Sequence, residues 1–456
     1  MDNLFHRIHD TLKRNETEML IRQSGSTRDS HDEKIRSGQS YLYKRYGMES
    51  EVFEIRFKKK VSGSMLNQAI LKAIKRYPYF NTKLVEKDGD FYIVQNPQSM
   101  IAKKTQKLAH LGHISCGYHL IDVTYYDYSV FISFHHALCD GRGVMPFIET
   151  LIYYYCSLKY GQTVPPKGVR LEDDPLLPGE TEDPFMKKYD FDQEKEFVSI
   201  SRDSFAIPEN VPTEDRVNDR YEVKIPGSQY MGVCKENNAT PVILLSLLMS
   251  RAIADMYPDY DKPIHANIAT DMREALDAPY TFKNYVKSMI LPYDGDFAGL
   301  TMKEQATQYR KLLSEQRDRD YCRKEANGMM GLFDKLDALP SYEEKQKIMD
   351  FFEGMTLNTY IVSYVGQFKL GRSAEYIDTI HLYNSGTTGL GINMISCGDY
   401  FVLDFKQNFS SDRYVKAFCA QLDLFDISHQ TSGVIPFKTP GDALVKREKK
   451  ETEAEK

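Results

Sequence analysis

The chain has 456 residues, 41% hydrophobic and 27% charged, a length and composition that support two lobes with substantial cores in a soluble globular protein. Its net charge of -6, with acids and bases mixed along the sequence, leaves no electrostatic footprint for nucleic acid or an anionic membrane. Seven scattered cysteines without a Cys-x-x-Cys pair argue against a disulfide framework or zinc site; no apolar run is long enough to span a bilayer and residues 1–20 lack a signal-peptide core, so a cytoplasmic location is expected.

Residues 1–40 are polar, and a short helix over 4–20 followed by a flexible connection is expected for this extension. A strand then alternates Phe53, Ile55 and Phe57 with Glu54, Arg56 and Lys58. Leu66, Ile70, Leu71 and Ile74 recur at helical spacing over 64–77, where Tyr77-Pro78 stops the helix. Strands over 81–85 and 91–95 flank Lys87-Asp88-Gly89-Asp90, whose Asp-Gly pair suits a hairpin turn. Further strands are expected over 119–123 and 128–134.

The second of these delivers Phe131-Ile132-Ser133-Phe134-His135-His136-Ala137-Leu138-Cys139-Asp140-Gly141-Arg142-Gly143. Two adjacent histidines end an apolar, β-prone run, an aspartate follows, and two glycines are read as letting the backbone turn sharply into a helix. Val144, Phe147, Ile148, Leu151, Tyr155 and Leu158 form that helix's apolar stripe. An imidazole on a rigid strand end is a candidate general base near neutral pH. The ordinary alternative is two buried, hydrogen-bonded histidines and a turn-forming aspartate. A metal site built on His135, His136 and Asp140 is disfavoured, because neighbouring strand residues point to opposite faces.

Prolines and acidic runs between 163 and 215 read as a linker between lobes. A second lobe over 216–440 opens with a strand over 220–225 and a buried helix over 241–256, and a strand over 263–269 leads into Asp271-Met272-Arg273. Residues 300–356 read as a helical insertion broken at Leu339-Pro340. Thr359–Gln367 reads as a strand, followed by hairpin strands over 381–383, 389–397 and 400–408, a helix over 412–425 and a disordered charged tail over 441–456.

The pattern His-His-x-x-x-Asp-Gly at a strand end resembles the active-site motif of the chloramphenicol acetyltransferase-like superfamily, which includes condensation domains and alcohol acetyltransferases. The opening strand, amphipathic helix, Arg76-Tyr77-Pro78-Tyr79-Phe80 and Asp-Gly hairpin are similar to that family's first lobe. The resemblance, closest in texture to alcohol acetyltransferase-type enzymes, implies an α/β (α+β) fold of two lobes. Each lobe would be a mixed sheet with flanking helices, and an active-site tunnel would run between them. It implies acyl transfer from a thioester to an alcohol or amine without a covalent enzyme intermediate.

By the same resemblance, His136 is the base, His135 its support, Asp140 the structural acid and Gly141 the turn. Arg273 is the expected partner of Asp140, since a planar guanidinium matches a buried carboxylate. Ser363 is a candidate oxyanion donor and Asn284 a candidate site-lining residue. Cys139, inside the motif, ranks below His136 as a nucleophile because its position in the motif is variable.

The donor is expected to be acyl-coenzyme A or another acyl-pantetheine, used as co-substrate with no permanently bound cofactor and no metal. A carrier-protein thioester, as in condensation domains, and a catalytically inactive binding protein of the same fold are the alternatives. A monomer is expected. The tryptophan-free chain lacks the Asp-Phe-Gly-Trp-Gly segment of the plant members, and Arg142 is bulkier than the small residue often found after the motif glycine.

Overall fold

In the computed structural model the alternating segment forms strand β1 (Ser50–Phe57), and Phe53, Ile55 and Phe57 turn inward as their period-two spacing requires. The structure describes residues 33–36, 50–87, 90–186, 188–190, 203–210, 217–341, 344–348, 358–384 and 389–436. The helix expected over 4–20 and the tail over 441–456 lie outside the described residues.

Helix α1 (Gly63–Arg76) ends before Pro78, and the hairpin β2 (Thr82–Lys87) and β3 (Asp90–Gln95) forms beside it. Strands β4 (Ile121–Tyr126) and β5 (Ser129–His135) pair antiparallel, and helix α2 (Gly141–Tyr160) follows the motif. The second half contains β6 (Asp219–Pro226), α3 (Gly227–Glu236), α4 (Pro241–Met256), β7 (Ile264–Asp271) and β8 (Val286–Tyr293). It continues with α5 (Met302–Gln316), α6 (Arg319–Asp337), β9 (Tyr360–Gln367), β10 (Ile377–Asn384), β11 (Leu390–Cys397), β12 (Tyr400–Gln407) and α7 (Arg413–Asp423).

Among the described residues two large sheets form, each with one apolar face under helices. The first has the order β10-β1-β5-β4, extended at one edge by Lys103–Lys104. Its core face presents Phe53, Ile132, Val123 and Leu382 to Leu66 and Ile70 of α1 and Phe147 and Leu151 of α2. The second has the order β8-β7-β9-β11-β12-β6, with Gln430–Thr431 and Ile435–Pro436 added against β6. Val362, Ile392, Leu403 and Val223 on its core face pack on Leu244 and Leu248 of α4 and Phe418 of α7. No single helix among the described residues is long and apolar enough to cross a membrane.

One strand departs from the chain-order reading. Residues 381–383 were expected in a hairpin of the second lobe, but β10 pairs antiparallel with β1 of the first sheet, Leu382 opposite Phe53 and Asn384 opposite Glu51. A run of apolar residues announces a strand but carries no information about a partner more than 300 positions away. The 216–440 segment is therefore not confined to one sheet.

The faces of the two sheets opposite their cores meet in a charged layer. Alternation sets Glu54 and Arg56 on the face opposite the core, yet Glu54 is only 5% exposed. Its carboxylate accepts from Arg56 at 2.6 Å and from Arg220 of β6 at 3.3 Å. Both guanidiniums also engage Glu222, and His381 lies 3.1 Å from Asp404. Glu222, His381 and Asp404 are close enough to hold a cation between them. However, Arg56 and Arg220 already supply the positive charge those carboxylates need, so the cluster acts as an ion-pair clasp.

Burial alone would raise the Glu54 carboxyl, but the hydrogen bond and charge of Arg56 and the charge of Arg220 outweigh it and hold the group at about 2. A folded-state value below the ordinary 4.5 of a glutamate contributes stability that is full above that value and lost as the pH falls through about 2. Urea midpoints of the native protein and Glu54→Gln should therefore differ clearly at pH 7 and converge on acidification through this window. A gap independent of pH would remove the clasp from acid stability.

Candidate active site

His135 is the last residue of β5, and the chain turns at once, with the Leu138 amide donating to the His135 carbonyl at 2.9 Å. The two histidines separate at this point. The His135 side chain is buried on the sheet face opposite the core, where its Nδ1 accepts from the Ala137 amide at 3.0 Å, and burial, reinforced by the nearby charges of His136 and His110, pushes its pKa down to about 3. It is a neutral, fixed acceptor that shapes the turn. Burial likewise drives the Cys139 thiol well above its ordinary value, so it carries no thiolate for nucleophilic attack near neutral pH.

His136 stands just past the strand end with 14% of its side chain exposed. Its Nε2 lies 3.2 Å from Oε1 of Glu51, and its Nδ1 lies 3.4 Å from the Asn284 side-chain amide. The imidazole thus meets a carboxylate from the first sheet and an amide from the segment before β8. Asn384 of β10 donates to the same Glu51 oxygen at 3.2 Å, and Asn393 of β11 donates to Asn384 at 3.2 Å. Glu51 was missed in the sequence, although a signal was present. It extends the inward parity of Phe53, Ile55 and Phe57 by one step, placing a carboxylate where the pattern demands an apolar side chain.

Asp140 caps α2 and is fully buried, accepting from the Gly143 amide at 2.7 Å and the Tyr285 amide at 2.8 Å. Arg273 Nη2 donates to it at 2.9 Å. The same guanidinium is held by the Thr281 and Lys283 carbonyls and by Asp271. Burial alone would weaken the arginine's hold on its proton, and the charges of Asp140 and Asp271 more than reverse that. The pair therefore ties the helix after the motif to the loop between β7 and β8.

The motif glycines have a different use from the one their sequence suggests. Neither Gly141 nor Gly143 has a positive φ. Both lie in the first turn of α2, where a Cβ on Gly143 would sit 2.0 Å from the Phe282 carbonyl oxygen and one on Gly141 2.9 Å from Val365. They permit close approach of the two halves rather than a left-handed turn. Arg142, between them, is 62% exposed and lies 3.7 Å from Asp271. Ser363 is half-buried on β9, in register with Ala269 and Asn393, two positions before Val365 on the same face. The geometry thus brings His136, Asn284, Asp140 and Arg273 into one constellation and leaves Ser363 on the strand beside it.

No protein-family model and no curated protein sequence matches the chain. Solved structures do match in shape. Polyketide synthase associated protein 5 from Mycobacterium tuberculosis is 11% identical with a TM-score of 0.59, covering 87% of this chain and 98% of that one. F. graminearum TRI101, crystallised with coenzyme A and T-2 mycotoxin, is 11% identical with a TM-score of 0.56, covering 88% and 100%. The first condensation domain of the CDA synthetase gives 11%, 0.56, 88% and 96%. The chain therefore has the two-lobed chloramphenicol acetyltransferase-like fold that the sequence led us to expect.

Proposed function

We propose that this protein is an acyltransferase in which His136 takes a proton from an alcohol or amine as that group attacks an acyl thioester, with acyl-coenzyme A as donor. The observation that carries the reading is a partly exposed imidazole where the two halves meet, held by Glu51 on one side and Asn284 on the other. In this reading a thiolate leaves without needing an acid, so one base suffices and no covalent enzyme intermediate forms. Asp140, Arg273, Gly141 and His135 are scaffold, and Ser363 donates a hydrogen bond to the developing oxyanion.

Coenzyme A as donor is supported by likeness to a protein crystallised with it. Likeness to condensation domains favours a second reading, in which the same pantetheine arm arrives on a carrier protein. Incubation of the purified protein with a panel of acyl-coenzyme A thioesters and mixed short-chain alcohols and amines should release free thiol only when an acceptor is present. Release from acyl-pantetheinyl carrier protein alone would shift the assignment to the second reading. No acceptor-dependent release from either donor would overturn acyl transfer.

A further inference from the structure

The carboxylate beside His136 is held without being neutralised. Glu51 is 8% exposed, and its Oε1 accepts from the Asn384 amide, which Asn393 holds in turn. Both asparagines are neutral, and no arginine or lysine among the described residues forms an ion pair with Glu51. Its Oε2 accepts no hydrogen bond among the described residues and lies against the first turn of α2, 3.7 Å from where a Cβ on Gly141 would stand. Two other buried carboxylates of this region differ. Glu54 meets Arg56 and Arg220, and Asp140 meets Arg273. An ionised carboxylate so withdrawn from water is costly until a cation reaches it.

Among the described residues, His136 is the group able to bring positive charge to Glu51, and it is positive only when protonated. A general base must be neutral to take a proton, so in the working form the charge of Glu51 is left for the substrate to balance.

We infer that the acceptor is a primary amine that enters as its ammonium ion, with Glu51 as its counter-ion beside His136. This inference rests on the acyl-transfer reading above and narrows its acceptor class from alcohol or amine to amine. His136 and Glu51 keep 14% and 10% of their side chains open, 3.2 Å apart, so an ammonium that donates to the carboxylate stands next to the imidazole. Alkylamines hold their extra proton near neutral pH, as lysine does, so the charged form is the one the site meets. The bound ammonium first gives one proton through His136 to water, which frees the nitrogen lone pair. The nitrogen then attacks the thioester carbonyl, the C–S bond breaks, and a second N–H proton passes by way of His136 to the departing thiolate. One ammonium and one thioester become one amide, one thiol and one released proton. An alcohol brings no charge and leaves Glu51 an uncompensated anion.

Hexylamine and benzylamine compared with 1-hexanol and benzyl alcohol, each with the acyl-coenzyme A panel and thiol release, test the inference. The native protein should turn over the amines with the higher kcat/KM. In folded Glu51→Gln the amine-to-alcohol ratio of kcat/KM should fall about 10- to 100-fold, the scale of a hydrogen bond between charged partners. Any effect of the substitution on His136 acts on both kinds of acceptor and cancels in that ratio. Calorimetric titration of the native protein without donor needs no variant, and at pH 7 hexylamine should bind about 10-fold or more tightly than 1-hexanol. Alcohols turned over as well as amines by the native protein, an unchanged ratio in folded Glu51→Gln, or equal binding of the two hexyl compounds would each overturn the inference and leave acyl transfer standing. No acceptor-dependent thiol release with any of the four, from coenzyme A or carrier-protein thioesters, would instead overturn the acyl-transfer reading.

Discussion

His136→Ala is expected to lower kcat by about 100- to 10,000-fold, the usual contribution of a positioned general base, while the protein remains folded. Folding should survive because the side chain is partly exposed and touches the core through an edge-on packing against the Phe134 ring, which stays held by its other core neighbours. The Glu51 carboxylate it leaves behind still accepts from Asn384. His135→Ala is the informative contrast. That side chain is fully buried and accepts from the Ala137 amide, so its removal should lower the melting temperature and leave a folded remnant with most of its turnover. Acceptor-dependent thiol release, normalised to folded protein by circular dichroism, separates the two. Full activity in folded His136→Ala would move the base to another residue.

Asp140→Ala is expected to destabilise the protein by about 3 kcal/mol, towards the low end of the range for breaking a buried ion pair. The low end applies because Arg273 keeps Asp271 and two carbonyls as partners. Two further acceptor interactions disappear with the carboxylate, leaving the Gly143 and Tyr285 amides without their side-chain acceptor. Urea denaturation measures the loss. Pairing Asp140→Ala with Arg273→Met should recover part of it, since the second change removes the stranded cation. A loss below about 1 kcal/mol, or strict additivity of the two substitutions, would show that the pair does not join the motif to the β7–β8 loop energetically.

The sequence was most legible where structure is local. The strand, turn and helix around the two histidines are set by period-two and period-3.6 spacing within about 30 residues, and β1, α1 and α4 were readable for the same reason. The Asp140 and Arg273 contact was legible by a different logic, since the family resemblance carries an Asp-x-Arg after a core strand and a buried aspartate needs a guanidinium partner. Glu51 was overlooked because strand parity was used to find apolar residues and not to question the charged one among them. Gly141 and Gly143 were misassigned to turn geometry because the two demands for glycine, a positive φ and a close neighbour, look identical in sequence. The burial of Glu54 and Arg56 was not legible because alternation marks two faces without saying whether the second is covered.

The exchange of β10 bears on how the protein is made. A growing chain produces β1 and β5 early, but the strand that covers the open edge of β1 is complete only at Asn384, 249 residues after His135. At synthesis rates of 5–20 residues per second that edge waits roughly 10–50 s for its partner. During this interval a half-built sheet presents unpaired amides and carbonyls to every other nascent chain nearby. Glu51, Glu54 and Arg56, all on the waiting strand, place three charged side chains along it. The carboxylate that later faces the histidine is thus one of the charged groups that blunt an unfinished edge.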